Sequence, residues 1–211
     1  MSTARITEDR PWTVEEFDRW NASRPQETEV IDGVEYRVKY EFVDGFPLRM
    51  MAGASKAHNR VQSNVGGTLF AQLLDMPCEP FGSDYAVETL PGQRRQPDYI
   101  VECDGDDDEE YATTRARLVM EVLSPSTRAF DHGRKLVEYQ NMPSLAYILL
   151  VDPTRIDVRL WRRSENDRWF ETEFTSLDET VDLSAIGATL PVAAIYRRVE
   201  FLPSEDRAPS V

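Results

Sequence analysis

Apolar side chains alternate between Thr28 and Met51 and then recur every fourth residue between Ser55 and Asp75, so strands give way to a helix in the first third of the chain. Ahead of them, Thr13-Val-Glu-Glu16 has the form of a capping box, and Phe17 and Trp20 supply an apolar stripe; this predicts a short helix over about 13–20. Val30-Ile31, the alternating Tyr36, Val38 and Tyr40, Phe42-Val43 and Leu48-Arg-Met-Met51 read as strands joined by Asp32-Gly33 and Asp44-Gly45 turns, an opening of antiparallel hairpins. Val61, Val65, Leu69 and Leu73 form one helical stripe. Gly66-Gly67 interrupts it, at about 1 kcal/mol per glycine relative to alanine unless close packing compensates.

Further strands are expected at Glu79 to Gly82 and Asp84 to Thr89, followed by a polar turn from Pro91 to Gln96 and a strand headed by Asp98 that runs to Cys103. Leu118 to Leu123 is the next apolar run; Ser124-Pro-Ser-Thr127 punctuates it before a helix capped near Asp131 and reaching about Met142. Leu145 to Val151 is almost continuously apolar, as expected of a central strand covered on both faces. After Asp152-Pro-Thr-Arg155, Ile156 to Trp161 alternates like a half-exposed strand, and another is expected at Arg168 to Phe174. The strand-helix-strand order from 118 to 151 implies a right-handed crossover with parallel pairing. These elements define an α/β (α+β) chain with a mixed sheet flanked by helices. It reads as one domain over 1–211, with its core at about 12–198 and a frayed tail at about 202–211.

With 41% hydrophobic and 29% charged residues the chain is expected to fold. No run approaches about 18 apolar residues and the N-terminus lacks a signal pattern, so a cytoplasmic protein without a membrane segment is expected. Cys78 and Cys103 form no CxxC pair and read as small core residues, and two histidines do not make a zinc site of ordinary spacing. The net charge of -14 opposes a protein that coats nucleic acid. Half of it is local: Glu102 to Glu110 holds seven acids and no base, read as a solvated turn, whereas Ala112 to Arg163 holds nine Lys or Arg against five Asp or Glu. Overall acidity therefore leaves room for a local phosphate-binding face.

Two acids carry the chemistry. Glu121 sits inside the apolar Leu118-Val-Met-Glu-Val-Leu123, and Asp98 follows Pro97 at the head of a strand. Burying a carboxylate is costly unless a cation meets it, and two carboxylates on neighbouring strands suggest a metal. Mg2+ held by carboxylates supplies what phosphodiester hydrolysis needs, namely charge neutralisation, a hydroxide near neutral pH and a stabilised leaving oxygen. The Val122 carbonyl can add a third oxygen. Lys135, about one turn into the next helix, can reach back to orient the attacking water or balance charge. Glu41 is a further catalytic candidate, to support a second metal or the water, and His58 and Tyr139 are supporting candidates. The structural alternatives are plain: Glu121 paired with Arg115 or Arg117, Lys135 paired with Asp131 on a solvated helix, His58 only opening its helix and Glu41 at a surface.

Glu41-Phe-Val-Asp-Gly45, His58 at a helix start, Pro97-Asp98, Glu121-Val-Leu-Ser-Pro-Ser-Thr127, Asp131, Lys135, Tyr139 and Tyr147-Ile-Leu-Leu-Val-Asp-Pro153 together resemble the Uma-type restriction endonuclease family, a branch of the PD-(D/E)XK nucleases, over about 12–198. The resemblance implies a restriction-endonuclease-like core cleaving DNA with Mg2+ or Mn2+. Asp98 and Glu121 match the metal-binding acids, and Glu41 the acid contributed by the N-terminal region. The superfamily lysine falls two residues after the glutamate, where this chain has Leu123; Lys135 is its migrated substitute. The expected function is a metal-dependent endonuclease, working as a homodimer. A nuclease-like accessory protein without catalysis, also homodimeric, is the alternative. No helix carries an evident base-reading arginine array, so the DNA site is not legible.

Overall fold

The computed structural model describes residues 10–31, 34–52, 55–104, 111–123 and 131–201. The chain opens with α1 (Val14–Ser23), whose N-cap Thr13 accepts from the Glu16 N–H while the Glu16 side chain accepts from the Thr13 N–H, the capping box expected from sequence. β1 (Thr28–Ile31), β2 (Val34–Val43) and β3 (Phe46–Ala52) then pair antiparallel, with β2 between the other two. At the β2–β3 turn Asp44 (φ 55°) and Gly45 (φ 80°) both adopt left-handed backbone, and the Gly45 carbonyl accepts the Trp12 N–H at 2.8 Å. A side chain at Gly45 would lie 2.6 Å from Pro11 Cβ, so glycine is required there for close approach as well as for its φ. The Asp32-Gly33 turn lies outside the described residues.

α2 (Lys56–Leu73) follows, then β4 (Cys78–Gly82), β5 (Ala86–Glu88), β6 (Arg94–Arg95), β7 (Tyr99–Cys103), β8 (Ala112–Thr113) and β9 (Ala116–Val122). A π-helical turn, Asp131–Lys135, runs directly into α3 (Leu136–Gln140), and β10 (Tyr147–Val151), β11 (Val158–Arg163) and β12 (Trp169–Phe174) complete the core sheet. Its order is β12-β11-β10-β9-β7-β4: β9 and β10 run parallel, as the crossover implied, and the other pairs run antiparallel. The second sheet has the order β1-β2-β6-β5-β8, with β3 on β2. A small hairpin of β13 (Thr180–Leu183) and β14 (Ala188–Pro191), then a short α4 (Val192–Ile195), closes the described chain; none of these was assigned from sequence.

The central strands β9 and β10 of the core sheet are buried on both faces, whereas the edge strand β12 is largely exposed. Against one face pack Val61, Val65, Leu69 and Leu73 of α2, joined by Val181, Leu183, Leu190 and Ile195 from the C-terminal elements. Against the other pack Leu136 and Tyr139 of α3, with Met142 and Leu145. Gly66 shows why the glycine pair in α2 is tolerated: a Cβ there would lie 2.8 Å from the Tyr99 ring, so its absence lets helix and sheet approach. Gly67 makes no such contact, with nothing within 4 Å of its ideal Cβ.

Two sequence expectations need correction. Cys78 and Cys103 are disulfide-bonded rather than separate core thiols, because antiparallel pairing of β4 with β7 places them directly opposite each other. Glu102, counted in the solvated acidic run, is a buried β7 residue paired with Arg115 at 2.7 Å. No helix among the described residues is long and apolar enough to cross a membrane. The Ser124 to Thr127 segment and the tail after Phe201 lie outside the described residues.

Candidate active site

β9 offers Glu121 to the face covered by α3. Alternation sets Leu118, Met120 and Val122 on the α2 side and Val119, Glu121 and Leu123 on the other, as the two core clusters confirm for the apolar members. Glu121 is only 4% exposed, so its charge needs partners, and α3 supplies them. Lys135 and Tyr139 are four residues apart and so occupy one helical face. Lys135 Nζ lies 3.0 Å and Tyr139 Oη 2.6 Å from the same oxygen, Glu121 Oε1. Burial and the negative charges of Glu121 and Glu41 push the Tyr139 hydroxyl well above its ordinary range, so it stays a proton donor.

Lys135 also reaches Glu41 Oε1 at 3.3 Å, which joins β9 to β2 through the helix. Glu41 is buried, takes Arg95 Nη1 on Oε2 at 2.8 Å and accepts the Gln96 N–H on Oε1 at 3.2 Å. Burial alone would raise its carboxyl; the Lys135 and Arg95 charges outweigh that and hold it below its ordinary value. Arg95, with no exposed surface, also forks onto Glu138 of α3, with both nitrogen–oxygen contacts at 2.7 Å. Arg134 bridges Glu138 at 2.9 Å and Asp44 at 2.7 Å. Asp44, Arg134, Glu138, Arg95, Glu41, Lys135 and Glu121 thus alternate in sign from a surface turn to the buried strand.

Asp98 lies one residue past the Tyr99–Met120 pair, at the level of Glu121 on the neighbouring strand. Its Oδ2 accepts the Val122 N–H at 2.7 Å and lies 3.3 Å from His58 Nε2, while its backbone carbonyl accepts from Gln62 at 2.6 Å. The carboxylate is therefore docked on the peptide that follows Glu121. Val122 was expected to contribute its carbonyl, and what the structure brings to Asp98 is its N–H. His58 opens α2 as expected, its N–H donating to Ser55 Oγ at 3.1 Å, and its side chain additionally faces Asp98. His58 Nδ1 is buried and meets no hydrogen-bond partner among the described residues.

Among the described residues Glu121 meets Lys135, while Arg115 pairs with Glu102 and Arg117 donates to the Ser144 carbonyl. Lys135 is itself buried at 3% exposure rather than solvated. Glu41 is likewise interior rather than at a surface. Sequence reasoning missed Arg95 and Glu138. Two signals were present: an arginine pair just ahead of Pro97-Asp98, and a glutamate three residues after Lys135 on the same helix face.

The chemistry of the donor set suits a hard divalent cation. Carboxylates are oxygen ligands, and Mg2+ is bound through one or two of them while keeping waters and substrate phosphates. Among the described residues no three His, Cys, Asp or Glu side chains are grouped as a cage, so any ion here relies on a small protein ligand set.

A mixed sheet between helices, with an acid at one strand head, a second in the neighbouring strand of the sheet and a lysine beside it, is the arrangement of a restriction-endonuclease-like fold. The sequence profile of the Uma2 family, described as "Putative restriction endonuclease", matches residues 14–193, and the chain belongs to that family. It is 34% identical over 168 residues to the uncharacterized protein slr1290 of Synechocystis sp., covering 78% of this chain and 87% of the relative. It is 30% identical over 150 residues to sll1609 of the same organism, also uncharacterized, covering 69% and 84% respectively. A crystal structure described as a "putative nuclease belonging to DUF820" from Anabaena variabilis superposes with a TM-score of 0.62 at 14% identity. That match spans 88% of this chain and 98% of the Anabaena chain and shows the shared fold.

Proposed function

We propose that the chain is a metal-dependent DNA endonuclease. The observation that carries this reading is the buried Lys135, whose Nζ lies 3.0 Å from Glu121 although Leu123 occupies the usual lysine position. A lysine placed there only to solubilise a helix would point outward; this one is 3% exposed and joins two acids.

In this reading Asp98, Glu121 and the Val122 carbonyl hold Mg2+ or Mn2+. The ion supplies charge neutralisation at the phosphate and lowers the pKa of a bound water. The remaining work falls to the chain itself. Asp98 is kept in place by the Val122 N–H, Tyr139 and Lys135 orient the Glu121 carboxylate, and Lys135 offers a fixed cation to the attacking water and to charge developing on the phosphate. Glu41, held ionised by Arg95 and Lys135, keeps that lysine at the strand end.

The test is duplex cleavage with added Mg2+. Wild type nicks plasmid DNA, and Asp98→Ala lowers the rate at least about 100-fold, the usual scale for losing one fixed electrostatic group. By calorimetry Mg2+ binds wild type and not Glu121→Gln. Wild-type protein that neither binds a divalent ion nor nicks DNA under broad conditions defeats the reading. One observation favours the non-catalytic alternative, in which the scaffold serves only interaction: the ions at Glu121 and Glu41 are already balanced from within by Lys135 and Arg95. Equal metal heats in wild type and Glu121→Gln would select it.

A further inference from the structure

β2 carries apolar side chains on one face and charge on the other. Val38, Tyr40 and Phe42 are buried with Phe17, while Arg37, Lys39 and Glu41 alternate with them and share the opposite face. Side-chain exposure falls along this row from 50% at Arg37 through 19% at Lys39 to 2% at Glu41, where the row meets Lys135 and the candidate active site.

Beside the row opens a cleft of about 340 Å³ whose walls include Arg24, Arg37, Lys39, Tyr40, Asp84 and Gln96. That is a volume suited to part of a ligand rather than to a water. Gln96 ties it to the site: its N–H donates to Glu41, and its side-chain Oε1 is buried with no donor among the described residues. Buried acceptors are normally satisfied, and a ligand that meets this one must bring a donor such as a base N–H, which a phosphate does not carry. Arg37 and Lys39 share one carboxylate, Asp84, at 3.7 and 2.7 Å, and Lys39 Nζ also donates to Ser83 O and Oγ at 3.1 and 2.9 Å. Asp84 is 71% exposed and can swing away into water without disturbing the core. Two cations on one anion leave positive charge on this strip of a chain whose net charge is -14.

We propose that Arg37 and Lys39 bind backbone phosphates of DNA and that the β2 face leads the substrate strand past Gln96 to Asp98 and Glu121, with Asp84 standing in for phosphate when DNA is absent. The proposal rests on the nuclease reading for its substrate class. It makes the two ends of one ion pair act in opposite directions on binding.

The experiment measures binding of a fluorescent 20-base-pair duplex to the full chain in EDTA and in Ca2+, across salt concentrations, beside plasmid nicking in Mg2+. Lys39→Glu is expected to weaken binding about tenfold and to reduce the slope of log affinity against log salt by about 1, the signature of a lost phosphate contact. Asp84→Asn is expected to tighten binding several-fold, with both variants folded as judged by circular dichroism. Wild-type affinity in both variants overturns the track, as does wild-type protein that binds no DNA or prefers RNA. Nicking by wild type with unchanged binding in the variants would sink the track and leave the nuclease reading standing. The opposed binding shifts without any nicking would do the reverse.

Discussion

The two faces of β9 are equally buried and chemically opposite. Leu118, Met120 and Val122 face α2 in an uncharged core, each at 2% exposure or less. Val119, Glu121 and Leu123 face α3 at 4% or less, and there the apolar packing surrounds a carboxylate, a lysine, a tyrosine hydroxyl and, beyond them, the Arg95 fork. Replacing a buried ion cluster with apolar residues of similar volume is often neutral or stabilising. A fold that keeps one on a single face, when the other shows that apolar packing suffices, is what the proposed use of that face for chemistry would require.

The comparison breaks hardest at Arg95. Arg95→Met leaves Glu138 and Glu41 buried beside a lost cation and is expected to destabilise the fold by about 3–5 kcal/mol, read by urea unfolding. Adding Glu138→Leu and Glu41→Leu is expected to recover most of that loss while nicking stays absent. If the triple variant remains as unstable as the single one, the ions are structural and the contrast between the faces loses its functional meaning. On the uncharged face, Leu149→Ala removes a fully buried side chain with no charge left behind and is expected to cost about 3 kcal/mol through transfer and cavity alone.

How much of this was legible in the sequence follows the same division. Periodicity exposes elements whose faces differ, so α1, α2, the opening hairpins and the parallel pair β9–β10 were readable from Phe17, Val61, Tyr40 and the run ending at Val151. Asp98 and Glu121 were readable because a carboxylate in an apolar strand has few explanations. Arg95 was hidden, since a Gln-Arg-Arg-Gln stretch beside Pro91-Gly92 looks like a polar turn and only pairing of β6 with β5 and β2 carries it inside. The π-helical turn ending at Lys135 has no local sequence signature, and the Cys78–Cys103 bridge depends on a strand register that 25 residues of separation conceal. The β13–β14 hairpin escaped because its strands are four residues each.

Tyr139 sharpens the contrast at smaller scale. Tyr139→Phe keeps the ring against Leu136 and Met142 and removes only the hydroxyl donated to Glu121, at an expected cost of about 1.5–3 kcal/mol for a hydrogen bond to a charged group. Because burial and the neighbouring carboxylates raise the folded-state pKa above the ordinary value of 10.0, its contribution is present below about pH 10 and is lost as pH rises beyond that. Phenylalanine should remove that alkaline loss; an unchanged alkaline slope of stability in the variant would show that the hydroxyl is not coupled to Glu121.

The smallest difference lies in acid. Lys135 and Arg95 hold the Glu41 carboxyl below its ordinary value of 4.5 against the opposing effect of burial, so the folded state binds its proton less readily than the unfolded chain does. The stability this provides is complete above the unfolded pKa and is lost as pH falls through the folded one. Glu41→Gln should therefore be less stable than wild type at pH 7 and converge on it in acid, measured as urea midpoints between pH 7 and pH 3. Asp84, lowered by the hydrogen bond from Lys39, loses its own contribution over the same acid range in both proteins, so it cancels from the gap between them. A constant gap between the two proteins down to pH 3 would mean that the Glu41 pKa is the same in the folded and unfolded states. In that case Arg95 and Lys135 would not be favouring the carboxylate over its protonated form, and the alternating chain from Asp44 to Glu121 would be broken at its centre.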